Sequence, residues 1–239
     1  MKRGSIMGKK VLITGGTKGI GLAAVKRFVG EGYEVYVVAR NFENFHAGGV
    51  KTVVADLTEL ENISKIKEET GDIDILINNA GMDIKKSYIE YQEEDIQKIV
   101  NLNLRAPIEL IKLYAPKWIE NGVGRVVNVA SQAAEIGHTD IWYGITKAGL
   151  VNVTKSFASI LAAKGVVINA VAPGPVDTDF LKDSAFAERF EALKKRVYTG
   201  RFATAEEVAE VIYWLAVDSP QYINGETIDI NNGAQRIKG

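Results

Sequence analysis

The chain has 239 residues, 46% of them hydrophobic and 25% charged, and its 29 Lys+Arg against 30 Asp+Glu leave a net charge of −1. That balance gives no electrostatic pull toward nucleic acid or an anionic membrane. The absence of Cys removes disulfides and thiolate nucleophiles, and two His, at 46 and 138, argue against a multi-histidine metal centre.

In chain order, Met7 precedes Gly8-Lys9-Lys10 and reads as a second start, with residues 1–6 an added leader. The first predicted strand is Lys10–Thr14. It runs into Thr14-Gly15-Gly16-Thr17-Lys18-Gly19-Ile20-Gly21 and then a helical pattern. Glycines at a strand-to-helix turn let the backbone approach a pyrophosphate, whose charge a helix N-terminus stabilises. In the first βα unit such a loop predicts a dinucleotide site. The second strand, Glu34–Ala39, ends at Arg40-Asn41. A carboxylate there would bind ribose hydroxyls and repel a 2′-phosphate. A guanidinium at Arg40, with the Lys18 ammonium on the same side, suits that phosphate and predicts NADP over NAD.

The connection Asn41–Val50 has room for little more than a helical turn. A third strand spans Lys51–Ala55, and Thr58-x-x-Glu61 reads as a capping box opening the next helix. The strand Ile73–Ile77 leads to Asn78-Asn79-Ala80-Gly81, which offers backbone access and amide groups at a sheet's carboxyl edge. Further strands are Arg125–Val129, Val166–Val171 and Thr227–Ile230. Thr204-x-x-Glu207 is a second capping box. Strands alternating with helices predict one α/β domain over 1–239, a Rossmann-type, doubly wound parallel sheet with helices on both faces.

A helix over Trp142–Ala163 is apolar around almost its whole circumference, which predicts burial against a second subunit. Near its start, Tyr143 and Lys147 share a face. Reducing a carbonyl by hydride requires a proton for the developing alkoxide, and a free Tyr, with a pKa of about 10, releases its own reluctantly near neutrality. An ammonium about 4 Å away would contribute about 4 kcal/mol toward the phenolate at an effective dielectric near 20. Tyr143 is therefore the candidate general acid/base and Lys147 the group expected to lower its pKa. Ser131, on the preceding strand–loop, is placed to polarise a substrate carbonyl.

Taken together these segments resemble the short-chain dehydrogenase/reductase family. The glycine loop has that family's Thr-Gly-x-x-x-Gly-x-Gly spacing. Asp56-Leu57-Thr58, Asn78–Gly81, Asn103, Ser131, Tyr143-x-x-x-Lys147 and Pro173-Gly174 with Thr178 follow in its order. The resemblance implies a nucleotide held by Gly15, Thr17, Lys18, Gly19, Ile20, Gly21, Arg40 and Asn41. It has Asp56 and Leu57 flanking the adenine and Asn79, Ala80 and Gly81 lining the cleft. Pro173, Gly174, Val176 and Thr178 would hold the nicotinamide end, with Tyr143 and Lys147 beside it. Lys147 would grip the nicotinamide ribose, and Asn103, rather than neighbouring Asn101, would hold a water linking Lys147 to solvent.

The expected protein is a cytoplasmic NADP(H)-dependent oxidoreductase acting on a small-molecule carbonyl or alcohol, without metal, nucleic acid or membrane, assembled as a homotetramer. A catalytically silent NADP-binding regulator or scaffold is the alternative. The substrate stays open among sugars, diketones, aldehydes and oxoacyl thioesters. It would lie beneath a helical lid over Asp179–Gly200, with Gln132 or His138 reaching its hydroxyls. Two departures from the family pattern stand out: Ser131 and Tyr143 are 12 positions apart, one fewer than usual, and the last strand ends Asn231-Asn232-Gly233.

Overall fold

The computed structural model describes residues 8–178, 194–195 and 197–234. Seven strands, β1 Lys10–Thr14, β2 Glu34–Ala39, β3 Val50–Val54, β4 Ile75–Asn78, β5 Gly124–Val129, β6 Val166–Pro173 and β7 Thr227–Ile230, form one sheet. Its order is β3-β2-β1-β4-β5-β6-β7, and every pairing is parallel. The chain winds outward from β1 to β3, then returns to lay β4 on the other side of β1. In such sheets the crevice at that reversal, outside the strands' carboxyl ends, is where ligands bind.

Alternation along the strands builds two cores. Val11, Ile13, Val35, Val37, Ile75 and Ile77 face Ala24 and Phe28 of α1 (Gly19–Gly30) and Ile212 and Tyr213 of α6 (Ala205–Tyr213). Leu12, Tyr36, Val38, Leu76, Val126 and Ile168 face the opposite layer, α2 (Asn62–Thr70), α4 (Ala106–Asn121) and α5 (Ile141–Leu161). Each fully buried aliphatic side chain contributes about 1.5–3 kcal/mol. A buried polar chain crosses the second layer: Asn78 Nδ2 donates to Asn128 Oδ1 at 2.8 Å, and Asn128 Nδ2 donates to Thr154 Oγ1 at 2.9 Å. It pins the ends of β4 and β5 to α5.

Local differences from the sequence reading have physical causes. β4 starts at Ile75, not Ile73, because the Ile73 carbonyl accepts from the Trp118 indole at 2.7 Å. The capping box expected at Thr58 does not form. Thr58 gives both its N–H and its hydroxyl to Asp56 Oδ1, at 2.9 and 2.8 Å, and α2 begins only at Asn62. The box at Thr204 does form, with Glu207 N–H on Thr204 Oγ1 and Thr204 N–H on Glu207 Oε2. The β2–β3 connection holds no helix; Phe42 and Phe45 stack edge-on there and pack on the α1 side of the core.

The helix α3 (Glu93–Val100) continues into α4 through a π-bulge at Asn101–Arg105, a feature frequent at functional sites. Helix α5 buries Thr146, Lys147, Leu150, Thr154, Ala158 and Leu161 within the chain. It leaves Ile145 51% and Ile160 66% exposed. Among the described residues no helix is long and apolar enough to cross a membrane. The leader and most of the lid segment, with Phe180, Leu181, Phe186 and Phe190, lie outside the described residues.

Candidate active site

The glycine loop lies at the β1–β4 reversal. Gly15 and Gly19 have φ of +66° and +52°, backbone that L side chains rarely adopt. A Cβ on Gly21 would stand 2.2 Å from the Gly15 carbonyl oxygen, so the loop can fold this tightly only with glycine there. Thr14 organises the floor: its Oγ1 accepts from the N–H groups of Asn79 and Ala80, both at 3.0 Å. The Asn79 amide in turn donates to the Thr14 and Gly15 carbonyls at 3.0 Å. Asn79 therefore shapes the loop, and its amide N–H groups are spent on backbone. Thr178 closes the crevice from the β6 side, its methyl 3.3 Å from where a Gly19 Cβ would stand. Thr17, Ile20 and Ala80 line the same crevice, each partly buried.

Lys18, the N-cap of α1, and Arg40, just past β2, are both exposed, as is Asn41. Neither cation has an ion-pair partner among the described residues. Two unneutralised cations beside a helix N-terminus fit a phosphate-bearing ligand. Asp56 commits Oδ1 to Thr58. Leu57 corrects the sequence reading: its side chain is 5% exposed and packed in the core, so it can offer an adenine only backbone.

The second cluster lies at the ends of β4, β5 and β6. Ser131 follows β5 and caps a short 3-10 turn, Gln132–Ala134. Its hydroxyl accepts the Ala133 N–H at 3.2 Å and lies near enough to the Tyr143 phenol to favour its ionisation, so a loop one residue short still brings the two together. Lys147 is buried; its Nζ donates to the Val129 carbonyl at 2.8 Å and stands 5.7 Å from the Tyr143 ring centre. Asn103, fully buried in the π-bulge, takes the Met82 N–H on Oδ1 at 2.9 Å and gives Nδ2 to the Met82 carbonyl at 2.8 Å. It also donates to Thr146 Oγ1 at 3.1 Å, so its side chain is committed to protein. A Cβ on Gly81 would stand 3.2 Å from Lys147 Nζ and 3.4 Å from Asn103 Oδ1, which joins the two clusters. On the β6 side Pro173 and Val176 are buried, and a Gly174 Cβ would meet Asn231 at 2.9 Å.

The electrostatics differ from the sequence expectation. Burial pushes the Tyr143 phenol up to about 12; its bond to Ser131 favours the phenolate, and the Asp83 and Asp140 carboxylates oppose it. Burial alone brings the Lys147 ammonium down to about 8. Lys147, titrating near 8, is neutral where a phenol held near 12 ionises, so it contributes no charge to that ionisation.

Sequence reasoning quoted Thr14 in the glycine motif without giving it a role, and missed Met82, Asp83, Asp140 and Thr146. Of these four, Asp140 had a local signal, an N-cap residue three positions before Tyr143. Its Oδ1 accepts the Tyr143 N–H at 2.9 Å. Of the loop candidates, His138 packs against Tyr143 at a 50° tilt with ring centres 5.1 Å apart, while Gln132 Oε1 points toward Gly174.

Comparison with known proteins bears on this geometry. The family model described as enoyl-(acyl carrier protein) reductase matches residues 15–235. A 3-oxoacyl-(acyl-carrier-protein) reductase, FabG, of Thermotoga maritima is 34% identical over 240 residues, covering 95% of this chain and 97% of that protein. Dehydrogenase/reductase SDR family member 6 of Rattus norvegicus is 33% identical over 243 residues, covering 96% and 98%. Among solved structures, 4-hydroxyisoleucine dehydrogenase complexed with NADH superposes with a TM-score of 0.90 at 25% identity, covering 96% of this chain and 100% of that one. ElxO with NADP bound superposes with a TM-score of 0.86 at 29% identity, covering 97% and 100%.

Proposed function

This chain belongs to the short-chain dehydrogenase/reductase family and is an NAD(P)-dependent oxidoreductase, and from that premise we propose that it is an NADP(H)-dependent carbonyl reductase or alcohol dehydrogenase with Tyr143 as general acid/base. The observation that carries the reading is the cluster of Ser131, Tyr143 and Lys147, with Lys147 Nζ 5.7 Å from the Tyr143 ring centre, at the crevice edge that also holds the glycine loop. Its chemistry acts on a small-molecule carbonyl or secondary alcohol.

The crevice passes a fit test for the dinucleotide on its own residues. The Gly15–Gly21 turn bares its backbone beside the N-terminus of α1, and Arg40 and Lys18 stand ready for a 2′-phosphate. Thr17, Gly19 and Ile20 would receive the pyrophosphate, with Asn41 beside the adenosine and Asp56 and the Leu57 backbone at the adenine. Ala80, Gly81, Pro173, Gly174, Val176 and Thr178 would border the nicotinamide. When bound, the nicotinamide supplies or accepts the hydride.

The chain's own groups manage the proton. In reduction, Ser131 Oγ donates a hydrogen bond to the carbonyl oxygen, and Tyr143 Oη delivers its proton as that oxygen becomes an alkoxide. A phenol held near 12 stays fully protonated at neutral pH, the form from which a proton can be given to a strongly basic alkoxide. Oxidation of an alcohol makes the opposite demand, a phenolate, which the same burial disfavours. Lys147, titrating near 8, is matched to pass a proton inward at physiological pH. Asn103 serves by holding Met82, and any water it binds takes its backbone.

We also infer a homo-oligomer, taken as a tetramer, from the apolar outer face of α5. Following NADPH oxidation across a panel of an aldose, a vicinal diketone, an aromatic aldehyde and a 3-oxoacyl thioester tests the reading, with NADH beside each. Turnover of none would leave a cofactor-binding regulator.

A further inference from the structure

The Asp140 side chain, one residue before α5, is 6% exposed. Both its oxygens accept backbone N–H groups, one from the helix it caps and one from a distant segment. Oδ1 accepts the Tyr143 N–H at 2.9 Å, and Oδ2 accepts the Ile84 N–H at 2.6 Å, 56 residues away along the chain. Tyr91, whose hydroxyl donates to the Ile84 carbonyl at 3.1 Å, lies near the same carboxylate; burial first, and then Asp140, raise its phenol's proton affinity. The Asp140 N–H donates to His138 Nδ1 at 3.1 Å, the ring that packs against Tyr143. One carboxylate thus joins the turn that carries Tyr143 to the loop 82–91.

That loop borders the reacting groups. Its Met82 is gripped by Asn103, and its Asp83 carboxylate is close enough to oppose ionisation of the Tyr143 phenol. Among the described residues no Lys or Arg pairs with Asp140, so its charge is met only by neutral donors. Helix capping alone does not call for this arrangement: Ser or Asn caps a helix as well as Asp does, without a buried charge. What neither supplies is a second acceptor oxygen. Asn would set its NH2 against an N–H group, and Ser has one oxygen for two donors.

We propose that Asp140 is a positioning residue whose carboxylate locks the 82–91 loop to the first turn of α5 and so fixes where the Tyr143 hydroxyl meets the substrate. This rests on the reading of Tyr143 as acid/base. The clamp gives the reaction a fixed distance between proton donor and loop, and loosening it loses catalysis while leaving the cofactor crevice intact.

The test uses the full chain carrying Asp140→Asn or Asp140→Ser, with Tyr143→Phe in parallel. Three quantities are read: NADPH affinity by fluorescence, kcat and KM for the best carbonyl of the panel above, and amide exchange over 82–91 and 141–150. The expected result is NADPH affinity within about twofold of wild type and kcat lowered about 10- to 100-fold, the scale of a small misplacement. Exchange should quicken over 82–91, and in the Ser variant it should stay slow over 141–150. A kcat within threefold of wild type in both variants would overturn the proposal. So would loss of folding in both, which would make Asp140 a stability residue only. Normal turnover in Tyr143→Phe would instead remove the acid/base reading, while unchanged exchange at 82–91 in the Asp140 variants would remove the clamp itself.

Discussion

Asn103 holds Met82 by both of its main-chain groups, accepting the N–H at 2.9 Å and donating to the carbonyl at 2.8 Å. A side-chain amide here copies the pairing that a neighbouring strand would give, where β4 has ended and the chain enters the site. The π-bulge at Asn101–Arg105 buries this side chain together with that of Asn101.

Removing that grip has a defined consequence. Asn103→Ala leaves the Met82 N–H and carbonyl without their partner, at about 1–3 kcal/mol for each buried group left unsatisfied. We expect a lower Tm and faster amide exchange at residues 82–84, with NADPH affinity little changed. Exchange rates matching wild type would show that Met82 finds other partners.

Arg40→Ala separates the two nicotinamide cofactors. Loss of one charge-assisted contact to a 2′-phosphate, worth about 1.5–3 kcal/mol, should raise KM for NADPH about tenfold or more. KM for NADH should move less than twofold, and Lys18→Ala should act in the same sense but more weakly. Steady-state kinetics with both cofactors reads this. An unchanged NADPH/NADH ratio in Arg40→Ala contradicts the phosphate assignment.

Lys147 makes stability depend on pH. Its folded-state pKa of about 8 lies below the ordinary lysine value of 10.5. Between those values the unfolded chain binds more protons than the folded one, so folding gains stability as pH rises from about 8 toward 10. Below 8 the buried ammonium exerts its full cost. Lys147→Met removes this term, so wild type should gain relative to the variant between pH 7 and 10 in chemical denaturation. A difference that is flat with pH would mean that the amine is not desolvated.

Ile160, 66% exposed on the outer face of α5, probes assembly. Ile160→Glu leaves the chain's own core untouched and should lower the sedimentation coefficient by breaking the oligomer. An equal coefficient would put the interface elsewhere.

How much of this was readable beforehand follows from range. The glycine loop and the seven strands were legible because periodicity and turn glycines act within a few residues. Tyr143 and Lys147 were legible because a helix puts four-apart side chains on one face. Pairings such as Asn103 with Met82, or Asp140 with Ile84, join positions far apart in the chain and leave no local pattern. Leu57 enters as an adenine neighbour through the family resemblance alone, and its side chain packs in the core. The sign of the Tyr143 shift was missed for a related reason: a nearby ammonium counts in sequence, but burial, which raises the phenol and lowers the amine together, is set only by the fold.

The most direct test of the account is Tyr143→Phe. The account predicts NADPH affinity within about twofold of wild type and turnover of the best panel carbonyl reduced at least 100-fold, the scale of general acid catalysis. Turnover comparable to wild type, with the variant folded and NADPH bound, would contradict Tyr143 as the proton donor.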